Sequence, residues 1–141
     1  MRDATEANVI VRDSGFVAED WTAGFVAADG FAANGTAGVD LPSDIDPAEL
    51  AGFATAPAIR IAFDSFADGK GLTLARRLRL MGYEGRLRAF GPVLADQYAM
   101  ARRAGFDEVE IPAEMAQRQP QDQWIARANW RDHDYQSRLR G

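Results

Sequence analysis

The sequence predicts an α/β fold: a β-α-β-α-β parallel sheet with its helices mainly on one face, like a fragment of a barrel. Three observations predict it. Apolar and polar residues alternate with a period of two around Ile59-Ile61-Phe63, Leu87-Ala89 and Val109-Ile111. Apolar stripes with helical spacing fill the two intervals between them. The same helix exit also occurs twice, as Gly82-Tyr83-Glu84 and as Gly105-Phe106-Asp107.

Before this core, Val9-Ile10-Val11-Arg12 and Gly15-Phe16-Val17-Ala18 flank Asp13-Ser14, which predicts a short N-terminal β hairpin. Asp29-Gly30 and Asn34-Gly35 mark turns in a Gly- and Ala-rich stretch. Val39 to Leu41 is a short strand, and Pro47 after Asp46 starts a short helix to Phe53.

In the core, Thr73 is the expected cap of a helix whose stripe is Leu74, Leu78 and Met81. Gly91-Pro92 opens a second helix with Leu94, Tyr98 and Ala101 on one face. Gly82 and Gly105 end the two helices in the left-handed conformation. Successive right-handed crossovers put both helices on one face of the sheet. That face takes Ile59, Ile61, Phe63, Leu87, Ala89, Val109 and Ile111; Arg60, Ala62, Arg86, Arg88, Glu108 and Glu110 face away. A complete eight-stranded barrel needs roughly 200 residues or more, and this chain has 141. Residues 1–112 are read as one α/β domain, with 1–58 as hairpin and loops and 59–112 as the core. Residues 113–141 form a polar tail, with a helix expected over 122–129 around Trp124 and Ile125.

Composition excludes several functions. The absence of cysteine rules out disulfides, thiolate metal sites and cysteine nucleophiles. There is no nicotinamide or flavin fingerprint, so no cofactor is expected. The start of the chain lacks an apolar signal core and no run spans a bilayer, so the cytoplasm is expected. Net charge is −5, with ten acidic residues and only Arg2 and Arg12 in the first 58. Residues 59–112 carry nine basic and seven acidic side chains, too slight an excess to predict nucleic-acid binding.

Ligands of parallel sheets sit beyond the carboxyl ends of the strands. The richest such end is the turn Gly69-Lys70-Gly71 leading to Thr73, where backbone N–H groups converge at a helix start, with Arg76 one turn on. A small oxyanion suits it; a strand-to-helix turn shaped by glycines is the plainer reading. Asp64 and Asp68 are candidates for acid/base chemistry, and Asp96 is a third carboxylate near a helix start. His133, the one histidine, lies between Asp132 and Asp134 in the tail and is read as solvated. No metal site is expected. Arg76, Arg77 and Arg79 read as a solvated helix face. Arg60, Arg88 and Glu110 should lie side by side on the charged sheet face. That face is solvated, covered by the acidic N-terminal hairpin, or a docking face for a second copy or another protein.

Four phrases in one order carry a family resemblance: Phe66-Ala67-Asp68-Gly69-Lys70-Gly71-Leu72-Thr73-Leu74-Ala75-Arg76-Arg77-Leu78-Arg79, Gly85-Arg86-Leu87-Arg88-Ala89, Val93-Leu94-Ala95-Asp96-Gln97 and Arg103-Ala104-Gly105-Phe106-Asp107. With Tyr135-Gln136 near the end, they resemble the bacterial domain-of-unknown-function family 934. The chain departs from that family's pattern at Lys70 and Pro92, and its first 58 residues look shorter and poorer in helix. Members of the family are described as probable oxidoreductases of sulfite reduction, because their genes adjoin sulfite reductase genes. The resemblance therefore implies an accessory protein of assimilatory sulfite reduction. It would bind a small oxyanion, sulfite reductase or another sulfur-assimilation protein, without a redox cofactor of its own. Two alternatives stand beside it: a small enzyme using the 69–73 turn with Asp64 or Asp68 as acid/base, and an electron-transfer adaptor that borrows its partner's cofactor.

Overall fold

The computed structural model describes residues 8–65 and 69–129. Asp68, His133 and the segment 130–141, with Tyr135 and Gln136, lie outside the described residues. The fold is α/β, as expected, around a seven-stranded, mostly parallel sheet. Its strands are β1 (Val9–Arg12), β2 (Gly15–Val17), β3 (Phe25–Ala27), β4 (Gly38–Pro42), β5 (Ala58–Ala62), β6 (Arg86–Phe90) and β7 (Glu108–Ile111). The order is β2-β1-β7-β6-β5-β4-β3. From β3 to β7 every neighbouring pair is parallel and consecutive in the chain, the arrangement of a barrel wall left open. The predicted hairpin forms and extends the sheet by antiparallel pairing of β1 with β7. It joins the sheet edge and does not lie across a face.

The sequence reading missed β3. Its three residues, Phe25, Val26 and Ala27, lie among turn-formers and are too few to alternate visibly. Parallel pairing with β4 gives the backbone its partners, and Phe25 stands opposite Gly38, where a side chain at Gly38 would strike the Phe25 ring.

Two helices of the core are α1 (Lys70–Leu80) and α2 (Tyr98–Ala104). The cap of α1 is Gly69, and Thr73 lies inside the helix, where its Oγ1 donates to the Gly69 carbonyl at 3.2 Å. The buried stripe is Gly71, Leu72, Leu74, Ala75 and Leu78; Met81 sits at the helix end, half exposed. Gly91-Pro92 makes a turn, and a 3-10 turn at Ala95–Gln97 leads into α2, which leaves Leu94 exposed and buries Tyr98, Ala101 and Ala104. Gly82 (φ +93°) and Gly105 (φ +119°) end the helices as expected. Pro47–Phe53 is a 3-10 helix whose cap is Asp46, accepting from the Ala48 N–H at 3.0 Å.

After β7 come α3 (Ala113–Arg118) and α4 (Gln121–Ile125), the latter shorter than the helix expected over 122–129. They bring Met115, Ala116 and a fully buried Trp124 into the same core as α1 and α2. Trp124 packs edge-on to Tyr98 with ring centres 6.1 Å apart and donates its indole N–H to the Gln119 carbonyl. Trp124 so placed buries a large apolar area from a segment that reads as polar.

Candidate functional site

The carboxyl ends of β4 and β5 open into a cleft of about 380 Å³ lined by Ser43, Asp44, Ile45, Asp46, Pro47, Lys70, Thr73 and Leu74. The site predicted from the sequence thus gains a wall from the loop after β4. Lys70 and Thr73 line the cleft, and so do two carboxylates, Asp44 and Asp46, which oppose a bound anion. Gly71 has a packing role: any side chain there would drive into the Phe63 ring. Gly69 has open space around its α-carbon. Asp64 is exposed just beyond β5. Arg76 lies apart from this cleft and lines a separate groove between α1 and α2. Asp96 is exposed and accepts from Arg127 Nη2 at 2.7 Å.

The opposite face of the sheet is the more constructed feature. Arg60 stands beside Arg88 in the β5–β6 register, and Arg88 beside Glu108 in the β6–β7 register. Arg88 is 1% exposed, Glu108 0% and Glu110 6%. Charges this deep must be paired, and they are. Glu108 accepts from Arg12 Nε at 2.8 Å, Arg86 Nε at 2.8 Å and Arg88 Nε at 2.6 Å. One oxygen of Glu110 accepts from Arg60 at 3.0 Å and Arg88 at 2.8 Å, and the other from Asn8 at 2.9 Å. Asp40 takes two bonds from Arg60, at 2.6 and 2.9 Å. Among the described residues no buried side-chain nitrogen or oxygen lacks a partner.

The cover comes from the segment 18–24, between β2 and β3. Glu19 accepts a two-pronged pair from Arg88, and Asp20 bonds both Arg12 and Arg86. Phe25 and Phe90 sandwich the Arg60 guanidinium, 4.3 and 4.9 Å from their ring centres, while Trp21 lies by Arg86. The sequence left open whether this face is solvated, covered or an interface; it is covered, by the strap that follows the hairpin. Burial alone would lower the Arg88 pKa, but Glu19, Glu108 and Glu110 outweigh it and hold the guanidinium above its usual value. Arg88 holds the Glu19 carboxyl below the usual carboxylate range. Burial would raise Glu108, yet Arg86, Arg88 and Arg12 keep it low. The pairing thus favours the charged forms of Glu19, Asp20, Glu108, Arg60, Arg86 and Arg88, and the cluster is an ionic clasp.

Sequence reasoning took Arg79 for a solvated residue. It ties the two helix exits together: Nε donates to the Gly105 carbonyl at 2.9 Å, and Nη1 donates to the carbonyls of Tyr83 and Gly85 at 2.8 and 3.0 Å. The signal was the repeated exit itself, because two adjacent helix ends present carbonyls that need donors.

The family model described as "Bacterial protein of unknown function (DUF934)" matches residues 38–141. The chain belongs to this family. No curated protein and no solved structure matches it. Within the DUF934 domain the match begins at Gly38, the first residue of β4. It takes in the strand-end cleft and the arginines of β5 and β6, while Arg12, Glu19 and Asp20 precede it. No helix among the described residues is long and apolar enough to cross a membrane.

Proposed function

We propose that this DUF934 protein is an accessory component of assimilatory sulfite reduction in the cytoplasm, which works by binding a protein partner and brings no redox group of its own. One observation carries the binding reading: the residues best placed for chemistry already have structural work. Gly71 makes room for Phe63, Asp46 caps a 3-10 helix, Thr73 bonds the turn of its own helix, and the carboxylates of the opposite sheet face neutralise arginines. Absence of cysteine and of a nucleotide fingerprint in the sequence supports a role without an internal cofactor. The pathway is supported by the family resemblance.

Titrating the purified protein into purified sulfite reductase, with binding read by sedimentation, tests this reading. A saturable complex supports it. A flavin or haem absorbance band in the protein purified alone, or normal growth of a deletion strain on sulfate, would remove it.

The strand-end cleft favours a second reading, a small enzyme acting on an oxyanion held by Lys70. It requires that sulfite or phosphate stabilise the fold in a saturable way, by about 2.7 kcal/mol at roughly 100 times the dissociation constant, read as a rise in melting temperature, and that Lys70→Ala weaken the effect. With Asp44 and Asp46 beside Lys70, we expect no such shift.

A further inference from the structure

Glu108 is fully buried on β7 and gathers three arginines from the two strands beside it, Arg12 on β1 and Arg86 and Arg88 on β6. The Nε atoms of all three donate to its carboxylate, at 2.8, 2.8 and 2.6 Å. Their terminal nitrogens hold the strap. Arg88 donates through Nη1 and Nη2 to Glu19 at 2.7 and 2.6 Å. Arg12 Nη2 donates to both oxygens of Asp20 at 2.9 and 3.2 Å, and Arg86 Nη2 donates to Asp20 as well. One buried carboxylate thus orients three guanidinium groups, and two consecutive carboxylates meet their other edges. Guanidinium groups fixed in this way are pre-organised to recognise carboxylates through paired bonds. The next residue, Trp21, sets its ring beside Arg86, with the guanidinium 5.9 Å from the ring centre.

The strap buries none of its own residues: six of the seven at 18–24 are exposed and Trp21 is half-buried. The side chains of Glu19 and Asp20 are 45% and 56% exposed. Lifting the strap would leave Arg88 with Glu108 and Glu110, and Arg12 and Arg86 with Glu108, so no guanidinium would lose its last carboxylate. A segment held through exposed ionic contacts opens at small cost. Well-packed apolar residues in place of the whole cluster would serve stability as well; what the arginines add is recognition.

We propose that Arg12, Arg86 and Arg88 form a recognition site for an acidic segment of a partner protein, two consecutive carboxylates followed by an aromatic residue, and that Glu19-Asp20-Trp21 is the chain's own copy of that ligand, which the partner displaces. It rests on the reading of the protein as a binding accessory and names the site that binding would use. The resident strap shows the ligand chemistry, and charge complementarity sets the encounter rate of a segment that shares it.

The test uses the full chain and a fluorescein-labelled peptide repeating residues 18–24, read by fluorescence anisotropy. In the wild type the tethered strap competes at an effective concentration on the order of millimolar, so the peptide should bind weakly. Glu19→Gln with Asp20→Asn removes the competing charges, and this opened chain should bind the peptide saturably and about tenfold or more tightly. Binding should weaken as salt rises from about 0.05 to 0.5 M and be lost for a peptide with glutamine and asparagine in place of its two acids. Adding Arg12→Gln to the opened chain should weaken binding about tenfold; adding Arg118→Gln, exposed on α3, should change nothing. Melting temperatures close to that of the opened chain show that these variants are folded. No saturable binding to the opened chain, or equal binding to the opened and wild-type chains, would overturn the proposal. Equal competition by succinate would also overturn it, by making the ligand a small dicarboxylate, as would self-association of the wild type that Glu19→Gln with Asp20→Asn abolishes, by making a second copy the partner. If sulfite reductase binds the protein and the peptide does not bind the opened chain, the site fails while the accessory reading survives. If the peptide binds as expected and sulfite reductase does not bind, the site stands and the pathway reading falls.

Discussion

Arg88 and Glu19 join the centre of the sheet to the strap over it through two parallel bonds of 2.7 and 2.6 Å. Arg88 is 1% exposed and Glu19 nearly half exposed. The two ends of this bridge therefore differ greatly in what their loss costs. Arg88→Ala would leave Glu108 and Glu110 buried with a partner missing, and should destabilise the protein by about 3–5 kcal/mol. Glu19→Ala leaves Arg88 with its two buried carboxylates and removes a solvent-screened group, so the expected cost is only about 1 kcal/mol. Urea melts of both variants measure the difference. Equal costs would mean that Glu19 is not the clasp described.

The same carboxylates set the acid limb of stability. Arg88 lowers the Glu19 pKa, and Arg86 lowers that of Asp20. Glu108 is low because its arginines outweigh burial. A carboxyl whose pKa is depressed by folding binds fewer protons when folded than when unfolded. Its stabilisation is complete above the ordinary value, about 4.3 for glutamate, and is lost as pH falls through the depressed one. Stability should thus be level near neutrality and drop below about pH 4. In Glu19→Ala the drop should be shallower. An unaltered acid limb in that variant would contradict the pairing.

The repeated helix exits should not respond alike. Gly82 has φ +93° with nothing near a prospective side chain, so Gly82→Ala should cost about 1 kcal/mol of backbone strain. At Gly105, with φ +119°, a Cβ would also lie 2.6 Å from Arg79 Cγ. Gly105→Ala should cost more, because Arg79 must release its carbonyls, and Arg79→Ala in that background should add little. Thermal melts of the single and double variants check the order.

Trp124 tests whether the C-terminal helices belong to the core. It is fully buried against Tyr98, so Trp124→Ala should cost about 3–5 kcal/mol. Ending the chain at residue 112 should leave a protein without a cooperative melt. A cooperative melt at the wild-type temperature would make the segment a dispensable tail.

Much of this protein was legible because period-two and period-3.6 patterns are local. Alternation in each strand put Arg60, Arg88 and Glu110 on one face, although the register sets Arg88 beside Glu108 and not beside Glu110 as expected, because alternation is unchanged by a shift of two residues; Gly82 and Gly105 announce left-handed helix ends because only glycine enters that region cheaply. Sequence alone therefore determined the parallel core, the hairpin, the two helix exits and which side chains share a sheet face. Other features depend on partners far along the chain, which local pattern does not encode. Phe25 belongs to a strand only because β4 lies alongside it. Arg79 is structural only because Gly105, Tyr83 and Gly85 bring their carbonyls to it. Trp124 is core only because Tyr98 awaits it. Tertiary structure alone decided that Arg60, Arg88 and Glu110 would be roofed, since the roof, Glu19, lies 69 residues before Arg88 and a buried charge can persist only where the folded chain delivers its counter-charge.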